Sequence, residues 1–166
     1  SVVATGGMDS VLDIPYGAVA GEATALVVTG LAGNQTLQAI GLPIPVRAIA
    51  TEAGVRLTHS SPSTPNVDIY LLAAGGDINA ADPDFTDVPF GASTPVLSLA
   101  PNTEAGYDIY VTATGSKDPA ISVTGFTLAG GDNYDIFARD PIGEEVGPQV
   151  LPINYDGDLS ACIPAT

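Results

Sequence analysis

The 166-residue chain carries 19 acidic against 4 basic residues, a formal charge of −15, and is 45% apolar. Such a charge excludes a nucleic-acid binder, which needs clustered Lys and Arg on phosphate, and an anionic membrane face as partner. The apolar share excludes a disordered acidic chain, and no apolar run is long enough to cross a bilayer as a helix.

The first short β-rich segments in chain order are 2–5, 11–14, 25–29 and 37–42, each bounded by Gly, Pro, Asn or Asp. The window Glu22–Thr29 is short and ends in β-formers, so no amphipathic helix is expected. Asn34-Gln35-Thr36 is a glycosylation sequon in a predicted exposed turn. Leu42-Pro-Ile-Pro-Val46 then reads as a stiff, extended connector. Further on, strands are predicted over 55–59, 67–72, 85–88, 95–99, 107–113, 121–128, 134–138 and 149–153. Val67, Ile69 and Leu71 alternate with Asp68 and Tyr70; Tyr107, Ile109 and Val111 alternate with Asp108, Tyr110 and Thr112. This period of two places one face in a core and the other in water. Eight such strands in about a hundred residues argue an all-β, antiparallel, immunoglobulin-like β-sandwich.

Residues 1–44 also lie on residues 110–153 without a gap, at an offset of 109. Val2 falls on Val111, Ala4-Thr-Gly6 on Ala113-Thr-Gly115, and Leu42-Pro-Ile44 on Leu151-Pro-Ile153. A fixed period marks tandem copies of one unit. The chain is therefore read as a partial module at 1–47 (the last strands of a repeat), a linker at 48–53, a complete module at 54–157 and a tail at 158–166. A half-sandwich cannot cover its own apolar face. It needs strands from elsewhere.

Val55-Arg-Leu-Thr-His-Ser-Ser-Pro62, Val67-Asp-Ile-Tyr70, Val88-Pro-Phe-Gly91 and Leu128-Ala-Gly-Gly-Asp-Asn-Tyr134 resemble a bacterial secreted family, domain of unknown function 4397. The resemblance covers about 54–157 and, more faintly, 1–47. It implies secreted or surface-anchored proteins, often tandem β-sandwiches, with no assigned catalytic activity.

Candidate chemistry is sparse. His59, the single histidine, could be drawn into a triad with Ser60 or Ser61 and Asp68, but there is no Gly-x-Ser-x-Gly elbow. The plainer expectation is that His59 ends its strand and bonds the Ser60-Ser-Pro62 turn. Asp77, Asn79, Asp82, Asp84 and Asp87 are hard oxygen donors in one loop. They form the best Ca²⁺ candidate, or else a solvated acidic loop. No other cofactor is expected. The tyrosines read as packing residues rather than a sugar-stacking platform. Cys162 is the chain's one cysteine, so no internal disulfide is possible. Absence of a leader before Ser1 is what a processed, exported chain would show.

Two readings follow. The first is a non-enzymatic structural subunit of an extracellular fibre or matrix, its partner further copies of itself, joined by strand or half-module complementation. The second is a secreted or surface-anchored adhesive module recognising glycan or protein, with Ca²⁺ assisting. A third possibility is that the chain is a piece of a longer tandem protein.

Overall fold

The computed structural model describes residues 1–3, 5–17, 19–45 and 49–155, in two compact units, Ser1–Val46 and Arg47–Thr166. The tail 158–166, with Cys162, lies outside the described residues. Among those described the chain is all-β, with two short 3₁₀ turns at Ala32–Asn34 and Ile78–Ala80. No helix is long and apolar enough to cross a membrane.

The second unit is an immunoglobulin-like β-sandwich of eight strands. In chain order they are β5 (Ala53–Ser60), β6 (Val67–Ala73), β7 (Phe85–Val88), β8 (Leu97–Leu99), β9 (Asn102–Ala113), β10 (Pro119–Leu128), β11 (Asn133–Arg139) and β12 (Gln149–Tyr155). One sheet runs β10-β9-β6-β7 and the other β12-β11-β5-β8. All pairs are antiparallel except β5 with β11, which run parallel from Gly54↔Asn133 to Ser60↔Arg139. Val55, Leu57, Val67, Ile69, Ile109, Val111, Ile121, Leu128 and Ile136 fill the space between the sheets. Val67, Ile69, Ile109 and Val111 are inward positions that the alternation predicts, with Leu71 and Tyr107 partly buried against them, and each buried aliphatic contributes about 1.5–3 kcal/mol.

The outward positions differ from expectation. Asp68 and Asp108 are 4% exposed, and Tyr70 and Thr112 are fully buried. The reason lies in the loops. The β6–β7 connection returns to the sheet, where Asp84 N–H bonds the Ile69 carbonyl and Leu71 N–H bonds the Asp84 carboxylate. Lys117 reaches from the β9–β10 turn to the Ile78 carbonyl at 3.0 Å and to that of Ala81, with its ammonium 4.6 Å from the Tyr70 ring centroid.

The first unit contains β1 (Val2–Val3), β2 (Ser10–Leu12), β3 (Ala23–Thr29) and β4 (Gln38–Ile44), paired as two hairpins. In β1–β2, Val2 pairs with Leu12 and Val3 with Ser10, across one irregularity. In β9–β10, Val111 pairs with Ile121 and Thr112 with Pro119, with the irregularity at the same step. The offset of 109 therefore holds there in register as well as in sequence. It does not hold in the second hairpin. β3–β4 pairs Ala23↔Ile44 through Thr29↔Gln38, and β11–β12 pairs Asn133↔Tyr155 through Arg139↔Gln149. By ladder position, Leu26 corresponds to Ile136 and Leu42 to Ile153, so the loops before β3 and β4 are each one residue shorter than their counterparts. The ungapped alignment would set Leu26 on Asp135. The extra residue restores apolar to apolar, because a one-residue slip in a strand exchanges its faces.

Candidate functional site

The histidine, serines and aspartates that could carry chemistry are best judged by what each side chain already bonds. His59 is buried at the end of β5. Its Nε2 meets the Pro65 carbonyl at 3.1 Å, so that nitrogen carries the proton, and Nδ1 accepts from Ser61 N–H at 3.4 Å. Both nitrogens thus close the Ser61–Pro65 turn, as the sequence suggests. Burial holds the imidazole pKa below its usual 6.5 against the opposing pull of the turn carbonyls and Asp140. The Ser61 hydroxyl bonds Thr64 and Asp140 rather than the ring, and Ser63 bonds the same Asp140 oxygen at 2.6 Å. Asp68 is elsewhere, with Oδ1 accepting from Asp87 N–H and Oδ2 from Gly115 N–H. No triad is assembled. On its other side β5 is gripped by the Phe90-Gly91 turn: Gly91 N–H bonds the His59 carbonyl, His59 N–H bonds the Ala92 carbonyl, and Phe90 stands edge-on to the imidazole.

The five oxygen donors of the acidic loop do not converge. Asp77 caps the 78–80 turn through Asn79 N–H and also accepts from the Asn79 amide. Asp84 is turned to Leu71 N–H, and Asp87, at φ +55°, accepts from Asn66. No polar contact joins Asp82 to any of them. Among the described residues no group of three or more His, Cys, Asp or Glu side chains gathers. The loop's carbonyls are instead bound by the Lys117 ammonium. An open groove of about 430 Å³ runs along Asp84–Pro89 and Ala92–Pro95, where Asp84 and Asp87 already have partners.

Three buried aspartates organise the strands. Asp108 matches Asp68: Oδ1 accepts from Gly125 N–H at 2.9 Å and Oδ2 from Gly75 N–H at 2.7 Å. Asp135 forms a two-pronged ion pair with Arg56, Nε–Oδ1 and Nη2–Oδ2 both 2.7 Å, on neighbouring parallel strands. Tyr155 also bonds Asp135, and its phenol pKa is raised by burial first and by that carboxylate second. These residues share one signal: Asp-Ile-aromatic occurs at 68–70, 108–110 and 135–137. The turn before β11 is as tightly fitted. Tyr134 hydroxyl accepts from Ala129 N–H, Gly131 N–H bonds the Glu52 carbonyl, and a Cβ on Gly130 would lie 2.1 Å from the Ala50 carbonyl oxygen.

Each segment carrying the family resemblance is thus a clamp between strands, and residues 53–158 match the family described as domain of unknown function (DUF4397). The chain belongs to this family. No curated protein and no solved structure matches it. In the DUF4397 module, His59 with Phe90-Gly91, Arg56 with Asp135, and Gly130 against Ala50 together fix β5 between β8 and β11.

What the chain leaves open is surface. In the module Ile136 is 1% exposed and Ala138 8%; their ladder counterparts in β3, Leu26 and Val28, are 44% and 42% exposed. β3 has β4 on one side and, among the described residues, no strand on the other, where β11 has β5. At the module's own sheet edge, β12 exposes Leu151 and Ile153. Sequence reasoning expects a partial module at 1–47; which residues stand exposed there depends on hairpin register and is visible only in the structure.

Proposed function

We propose that this chain is a non-enzymatic structural subunit of an extracellular bacterial fibre or matrix, joined head-to-tail when strands from another copy complete the first unit. The carrying observation is the pair Leu26 and Val28, exposed on a strand whose module counterpart buries the same positions. An uncovered apolar face beside an unpaired strand edge is a template for another chain. The net negative charge suits this role, because it keeps subunits apart except where strands fit. Export to the cell surface accords with the fibre reading. The full chain, examined by sedimentation and negative-stain electron microscopy, should form filaments as concentration rises. Leu26→Asp with Val28→Asp should abolish them while leaving the circular dichroism and melting of the single chain in place, since exposed substitutions shift stability by only about 0.5 kcal/mol. A wild-type chain that stays monomeric at high concentration would refute the proposal.

The open groove at 84–95 favours a second reading, an adhesive module for glycan or protein. Monodisperse particles that bind a glycan array, with binding lost on Phe85→Ala, would favour it. A monomer without ligand would instead indicate that the strands completing the first unit come from further residues of a longer tandem protein.

A further inference from the structure

The edge of β3 opposite β4, where no described strand pairs, is specific about what can lie on it. Its counterpart β11 takes β5 as a parallel neighbour, with Val55 beside Tyr134, Arg56 beside Asp135 and Leu57 beside Ile136. In β3 the corresponding residues are Thr24, Ala25 and Leu26. A strand in β5's place must therefore be apolar at alternate positions, like Ala53, Val55 and Leu57, to meet the core face that Leu26 leaves exposed. It must also be small and uncharged beside Ala25, because an arginine there would have no carboxylate to meet. Residues 156–166, which follow β12 and lie outside the described residues, contain such a run in sequence: Leu159-Ser-Ala161-Cys-Ile163. Leu159, Ala161 and Ile163 repeat the apolar spacing of 53, 55 and 57, and Cys162 falls where β5 has Arg56. The run carries no charge. The two acids before it, Asp156 and Asp158, lie outside the paired stretch and add to the mutual repulsion that disfavours any looser association.

We propose that Leu159–Ile163 of a second copy adds to β3 as a parallel strand in the position of β5, with Ala161 beside Thr24, Cys162 beside Ala25 and Ile163 beside Leu26. This rests on the assembly reading above and names its donor. Residues Ala23–Val28 of β3 can offer main-chain bonds along the edge opposite β4, where no described strand pairs, and the alternate side chains give the choice of donor. Repeated from copy to copy, the contact is head-to-tail and does not close, so it generates a filament.

The lone cysteine makes a direct test. Neighbouring strands lie about 4.8 Å apart, within the Cα separation that a disulfide spans. Ala25→Cys in the full chain, oxidised with glutathione disulfide, should therefore give a ladder of covalent oligomers. The two thiols join as glutathione is reduced. Val27→Cys, one step along the same face, and Gln35→Cys, in the β3–β4 turn, should cross-link about tenfold more slowly or not at all, because only paired thiols share a high effective concentration. Cys162→Ser in the Ala25→Cys chain should remove the ladder. Separately, Leu159→Asp with Ile163→Asp should reduce polymer to monomer, with melting of the second unit as the folding control. Filaments that form in every variant without a ladder from Ala25→Cys would overturn the donor and leave the assembly reading standing. Absence of any oligomer from the unmodified chain would overturn both. A cross-link inside single chains would assign the edge to the chain's own tail, and a faster cross-link at Val27 would refute the register; either overturns the proposal.

Discussion

Asp108 lies next to the core residue Ile109, on the face of β9 that alternation assigns to water, and this makes Asp108→Ala a decisive substitution. The carboxylate is 4% exposed and holds two backbone donors, Gly125 N–H at 2.9 Å and Gly75 N–H at 2.7 Å. A hydrogen bond to a charged group contributes roughly 1.5–3 kcal/mol. Both glycines are themselves exposed, so water can reach the released N–H groups and the low end of that range applies to each. Asp108→Ala should then cost about 3 kcal/mol, comparable with the roughly 2–5 kcal/mol expected for Ile109→Ala in the core. Asp108→Asn keeps one acceptor and turns an amide N–H₂ toward the other donor, so it should fall between alanine and wild type. Urea denaturation followed by near-ultraviolet circular dichroism of the tyrosines reports the module, because the chain has no Trp. An unchanged m-value licenses the comparison. If Asp108→Ala loses less than about 0.5 kcal/mol while Ile109→Ala loses several, the outer face is solvated and the clamp adds nothing.

His59 makes stability depend on pH. Its folded pKa is below 6.5, so between that lowered value and 6.5 the unfolded chain binds more protons, and stability, complete above 6.5, falls as pH falls through this window. The melting temperature of wild type should drop there more steeply than that of His59→Gln; parallel curves would refute the assignment. Lys117→Met should release the 78–81 carbonyls at a cost of about 1.5–3 kcal/mol, detected as faster hydrogen exchange in residues 77–84. Millimolar Ca²⁺ should leave the wild-type melting temperature in place, since the ammonium already serves those carbonyls; a rise would establish a calcium site at Asp77, Asn79, Asp82, Asp84 and Asp87. Gly130→Ala should lower the melting temperature sharply because its Cβ meets the Ala50 carbonyl at 2.1 Å, whereas Gly17→Ala, with nothing within 4 Å, should not; equal effects would contradict the fitted turn.

Strand positions and the inward residues were legible because alternation over 67–72 and 107–113 is strict and β-formers dominate. The outward face was not. Alternation reports which side chains share a face, not whether a loop returns to cover it, and the covering of Tyr70 depends on Lys117, far from it in sequence. The parallel placement of β5 was equally hidden: nothing in the sequence pairs Arg56 with Asp135 until the two strands are adjacent. The likeness of 1–44 to 110–153 was visible in sequence, yet the register in β3–β4 was not, because the two extra residues fall in loops without sequence landmarks. As for the acidic loop, composition supplied the oxygen donors but not their directions, and most of them turn to separate backbone and side-chain partners.

The Arg56–Asp135 pair bears on folding speed and fidelity. β5 is among the first strands of its module to leave the ribosome, yet its parallel neighbour lies 79 residues further on. Closing that loop costs about 4 kcal/mol in chain entropy, before any contact rewards it, so the module belongs with slow-folding topologies of high contact order. Meanwhile β3, with the same ladder pattern as β11, is only about thirty residues away, and the shorter loop favours it by nearly 1 kcal/mol. What rejects β3 is Ala25 in the place of Asp135. Pairing there would bury the Arg56 guanidinium without a counter-charge, at a cost of roughly 3–5 kcal/mol, several times the entropic advantage. On these magnitudes the ion pair should disfavour the nearer, wrong partner, and replacing both members with apolar residues should yield a module that is stable once folded but prone to misregister during synthesis.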